Sequence, residues 1–107
     1  MRCAAVAVVA LACASPALAS TPSVAAGKVV FKTHCGSCHT FKAAGTVGKG
    51  ASPGPVLTNM SVTKAMCTTM IAGMSAGMMP SFIGTLTPQQ IADVTAFVVT
   101  DSRPSYK

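Results

Sequence analysis

The apolar positions of this chain recur at helical spacing in three stretches, and nowhere alternate as along a half-buried strand. In the first stretch Val24, Gly27, Val30 and Phe31 share one helical face. Thr21-Pro22-Ser23 opens it, and Pro22 suits a first helical position because its missing N–H is no loss there. Gly27 lowers helix propensity, so its place on that face predicts a close approach by another element. The second stretch covers residues 61–73, where Val62, Met66, Met70 and Met74 form an i, i+4 stripe with Cys67 and Ile71 beside it. Such a stripe packs into a core. A methionine-rich copper or partner site is the alternative, since thioethers both fill gaps and bind soft metals. The third stretch has the sharpest start. Thr87-Pro88-Gln89-Gln90 reads as an N-cap, a first-turn proline and a capping-box glutamine, and Ile91, Val94, Phe97 and Val98 form the apolar face behind it.

The segments between are loops by composition. Residues 43–55 hold four glycines and two prolines. The spacing of a phosphate-binding loop is absent there. Gly73 to Gly84 form a second loop carrying Met74, Met78, Met79 and Pro80. There is no internal repeat, and the pattern predicts an all-α chain.

Residues 1–19 follow a different logic. A short positive start at Met1–Arg2 is followed by twelve apolar residues (3–14) and by Ala17-Leu18-Ala19 before Ser20. That order is a secretory signal peptide. The apolar run is shorter than the roughly 20 residues a membrane span needs. A lipid-anchoring site at Cys13 fits poorly, because Ala10 stands where a branched apolar residue is wanted. Cleavage after Ala19 takes 19 of 107 residues and leaves 88, a domain of residues 20–107. It also removes Arg2, Cys3 and Cys13, which lowers the formal charge from +6 to +5 and keeps three cysteines, Cys35, Cys38 and Cys67. The mature chain is expected to be exported, to the periplasm or the outer side of the cytoplasmic membrane, with no membrane span.

At 107 residues, 50% of them hydrophobic, the chain is one small domain and not a disordered, collagenous or multi-domain protein. A core this small usually needs a disulfide, metal or cofactor as a staple.

Cys35-Gly36-Ser37-Cys38-His39 supplies one. C-x-x-C-H is the haem attachment signature: two thiols add across the two vinyl groups of one porphyrin edge, and the adjacent histidine is held beneath the ring, where it can ligate iron. Gly36 and Ser37 are small enough for a tight turn beside a flat macrocycle. Three rivals are weaker. A thioredoxin-like site would follow a strand. A zinc site would want a second ligand pair, and only His34 and Cys67 remain. A plain Cys35–Cys38 disulfide leaves His39 unexplained. For the iron's other axial position, His34 lies too close to Cys35 to reach the opposite face and is read as a surface residue. Met74, Met78 and Met79 sit in a loop able to fold across the ring.

Taken in order, Gly27-Lys28-Val29-Val30-Phe31, the C-x-x-C-H motif, Gly54-Pro55-Val56-Leu57, Met79-Pro80-Ser81-Phe82 and Leu86 to Val94 with Phe97-Val98 resemble class I c-type cytochromes, most nearly small bacterial c6-like and c553-like monohaem carriers. The resemblance runs over residues 23–100. It implies a small cytochrome c fold of three to four helices around one covalently bound haem c. It implies Cys35 and Cys38 as the attachment thiols, His39 as proximal iron ligand and Met79, before proline in M-P-x-F, as distal ligand, with Met78 one residue away as the alternative. It implies that the Pro55 carbonyl accepts the ring N–H of His39, and that Gly27 and Phe31 cross the last helix near Phe97. Phe97 stands where the family often has Tyr or Trp. Cys67 is an extra thiol, either a buried small hydrophobe or the link in a disulfide dimer.

A haem with both axial positions filled favours outer-sphere electron transfer over catalysis, and methionine raises the potential relative to two histidines. The expected function is single-electron transfer between redox partners, not an enzyme. Lys28, Lys32, Lys42 and Lys49 flank the attachment motif. They would steer an acidic docking face on a protein partner, or form no more than a solvated surface. Haem propionates would offset at most two of the positive charges. Nucleic acid is not expected, for lack of interleaved basic and aromatic residues, and a monomer is. Two alternatives stand: a small haem subunit of an exported dehydrogenase or oxidase, and a ligand sensor or weak peroxidase with a labile Met79.

Overall fold

A computed structural model describes residues 21–49, 53–73 and 79–104. The leader expected over residues 1–19, and Met74 and Met78, lie outside the described residues. Within them run helix α1 (Val24–His34), a 3-10 turn (Lys42–Ala44), helix α2 (Lys64–Ile71) and helix α3 (Pro88–Asp101). Extended pairing among the described residues is limited to isolated bridges at Phe41–Thr46 and Ile83–Leu86. The all-α expectation of three to four helices therefore holds. No helix among the described residues is long and apolar enough to cross a membrane.

The start of α1 differs from the sequence expectation. Ser23 is the N-cap, its hydroxyl accepting from the Ala26 amide at 3.0 Å, and Pro22 stands before the helix. A hydroxyl satisfies one of the free amides of a first turn, which proline cannot do. The Ser23 amide donates to Asp93 Oδ1 on α3 at 2.8 Å, and Gln89 Nε2 steadies that carboxylate at 2.9 Å.

The contact between α1 and α3 is the most extensive between helices. Gly27 makes it close, as predicted: a Cβ there would run into the Asp93 carbonyl and the Phe97 Cβ. Below this crossing three buried rings meet, Phe31 with Phe41 at 5.2 Å, Phe31 with Phe97 at 5.8 Å and Phe41 with Phe97 at 5.2 Å between centroids. Such edge-on and tilted pairs add to what burial alone contributes. The Phe31–Phe97 contact joins the two ends of the domain.

Helix α2 is shorter than the stripe from Val62 suggests. Thr63 caps it, accepting from the Met66 amide at 3.1 Å. Val62 precedes the cap and donates instead to buried Ser102 Oγ at 2.9 Å. Cys67 and Ile71 are buried, but Met66 is 48% exposed, so the stripe is not wholly core. In α3 the capping box forms as read: Gln90 N donates to Thr87 Oγ1 at 3.1 Å, and Thr87 N donates to Gln90 Oε1 at 2.9 Å.

Candidate functional site

The C-x-x-C-H motif begins where α1 ends. Cys35 is the C-cap, its amide donating to Phe31 O at 2.8 Å, and the amides of Cys38 and His39 both fold back on the Cys35 carbonyl, at 3.1 and 3.0 Å. This tight turn buries Cys35 and His39 and leaves Cys38 exposed. All three described cysteines are free. Burial pushes the Cys35 thiol up to about 12, and the nearby Cys67 and Cys38 add to the shift.

His39 Nδ1 lies 2.8 Å from the carbonyl oxygen of Pro55. A carbonyl only accepts, so Nδ1 carries the proton and donates, and the lone pair is left on Nε2. That is the tautomer a metal-binding histidine needs, and the bond fixes the ring's orientation. Gly54 permits it: a Cβ at this position would strike the His39 ring itself. The Gly54 amide donates to the Cys38 carbonyl at 2.7 Å, so the loop of residues 43–55 returns to the motif.

Cys35, His39, Pro55 and Met79 line one apolar cavity of about 260 Å³. Cys38 is not among the residues that line it. The wall also holds Met60, Met66, Met70 and Cys67, with Phe31, Val94 and Val98 from the two long helices. The sequence stripe placed Met66 and Met70 in a core; they face this cavity instead. Their i, i+4 spacing marked the shared face but not what it faces. Met60, exposed at 42%, had no periodic signal at all. Burial raises the Cys67 thiol, and the Thr95 hydroxyl offsets part of that shift. Thr95 Oγ1, also buried, makes no hydrogen bond of ordinary geometry.

The cavity fits a flat, largely apolar group. Its wall offers the buried Cys35 thiol, an imidazole in the metal-binding tautomer and the Met79 thioether from another segment, with the exposed Cys38 thiol three residues from Cys35 and off the wall. Three helices around such a cavity, with Cys35 and His39 of C-x-x-C-H on its wall, define a class I c-type cytochrome domain. Residues 22–98 match the family described as cytochrome c oxidase, cbb3-type, subunit III, and the chain belongs to that family. Comparison with curated proteins and with solved structures found no match. The domain therefore carries covalently bound haem c with its iron, and its chemistry is haem-based electron transfer. The matching family does not single out c6-like or c553-like carriers.

Proposed function

We propose that the mature chain, freed of residues 1–19, is an exported single-haem electron carrier with Cys35 and Cys38 as attachment thiols and His39 and Met79 as the iron's ligands. The observation that carries this reading is the 2.8 Å hydrogen bond from His39 Nδ1 to the Pro55 carbonyl, in a cavity that Met79 also lines. When bound, the haem supplies one-electron exchange between ferrous and ferric iron. The chain does the rest. Pro55 holds the imidazole in place and raises its basicity. Met79 would supply a soft second donor to the iron and so disfavour binding of a substrate there. The apolar wall excludes water. Cys38 is exposed and would tether the haem from the surface side of the motif.

Lys28, Lys32, Lys42, Lys49 and Lys64 are all exposed, whereas of the two acidic residues Asp93 is buried against α1 and Asp101 alone is exposed. This supports an acidic docking face on the redox partner. A second reading, a haem subunit held in an oxidase complex, is favoured by the name of the matching family.

The test is carbon monoxide binding to the ferrous holoprotein at neutral pH. The native protein should not bind it, and Met79→Ala should bind it with haem still attached. Binding by the native protein would favour a sensor or peroxidase. Purification in a tight stoichiometric complex would favour the subunit.

A further inference from the structure

His34, one residue before the attachment motif, has a structural partner that its sequence position does not suggest. Its half-buried ring meets Phe82 edge to face, with centroids 6.2 Å apart and planes at 76°. Phe82 follows Met79 by three residues and is itself a fixed point. Its amide donates to the Ile71 carbonyl at the end of α2 at 2.8 Å, and its carbonyl accepts from the Thr85 and Leu86 amides at 3.0 and 2.9 Å. Its ring packs against the core. Ser81 beside it rests on Gly73. The segment holding Met79 is thus tied by its backbone to α2 and by a ring pair to the end of α1. Helix α1 runs directly into Cys35, so the ring pair links the attachment point to the Met79 segment.

We infer that His34 is a positioning residue: its ring braces Phe82 and so keeps the Met79 sulfur at the distal position. The inference rests on Met79 being the distal ligand. A thioether is a neutral, soft donor that favours ferrous over ferric iron. Its hold on ferric iron is therefore sensitive to where the backbone places it. Removing one edge-on ring contact should shift the balance between Met79 and a competing ligand on the order of threefold to tenfold.

The experiment is an imidazole titration of the ferric holoprotein, following the weak red band from methionine sulfur to ferric iron. His34→Ala should bind imidazole on the order of threefold to tenfold more tightly than the native protein, with unchanged haem content. His34→Phe keeps a ring against Phe82 and should restore the native affinity, a rescue that a general loss of stability would not give. Equal affinity in His34→Ala and native protein, or no rescue by His34→Phe, overturns the inference. Met79→Ala serves as the control and should lack the band before any imidazole is added. If Met79→Ala keeps the band, Met79 is not the ligand and both readings fall. If Met79→Ala loses it while His34→Ala matches the native protein, only the role of His34 falls.

Discussion

A single hydrogen bond at His39 connects a backbone position to the electronic character of the site. The Pro55 carbonyl accepts from Nδ1 and makes the imidazole a stronger donor through Nε2, which favours ferric iron. Gly54→Ala would push a methyl group into the ring and weaken that bond. The expected outcome is a higher reduction potential than the native protein's, measured by redox titration. Cys67 is the other informative residue. Its thiol is raised by burial, so the folded chain holds that proton when the unfolded chain has released it. Stability should therefore be full below the ordinary thiol value and fall as the pH rises above it. Cys67→Ser should flatten the alkaline limb of a stability–pH curve and leave haem attachment intact. Loss of covalent haem in that variant would give Cys67 a role in attachment. Thr95→Val removes the hydroxyl that offsets part of the shift at Cys67, and should push that thiol further up, read by the pH dependence of its alkylation.

Among the elements, α1 and α3 set the frame. Gly27→Ala would place a methyl against the Asp93 carbonyl, which cannot move without moving α3. The cost should be about 2–3 kcal/mol, read from denaturant unfolding of the holoprotein. How far each helix was legible depends on whether its signals are local. The capping box of α3 lies within four consecutive residues, Thr87 to Gln90, and its start was readable from them. The start of α1 is also local, in the Ser23 hydroxyl and the Ala26 amide three residues on, but Pro22 beside it offers a competing start; the tie from the Ser23 amide to Asp93, 70 residues away, has no local signal. Val62 satisfied the helical period yet precedes the Thr63 cap of α2, and its amide goes to Ser102 at the end of α3. Periodicity shows which face is apolar. It does not reveal that Met66 and Met70 face an apolar cavity and not a closed core.

For the molecule as a whole, the attachment motif, one half of the candidate site, is legible as a pattern because two thiols and an imidazole that are to reach one porphyrin edge must be close in sequence. The opposite half is assembled over distance: Met79 joins Cys35 and His39 only through the fold, and His34 meets Phe82 across 48 positions. The choice of Met79 over Met78 came from resemblance, and Met78 lies outside the described residues. The exposed lysines around the motif give the proposed carrier its long-range behaviour. Electron transfer to an acidic protein partner should slow as salt is added, because screening shortens the reach of these charges to about 8 Å at physiological ionic strength. A rate independent of salt would remove the acidic docking face from the account.

The most direct measurement is the absorption spectrum of the exported protein, oxidised and reduced, before and after acid–organic extraction. Colour that resists extraction, sharp reduced bands and a weak red band from methionine sulfur in the ferric protein are expected. Extractable colour, or a ferric spectrum without the sulfur band, would contradict a covalent haem held between His39 and Met79.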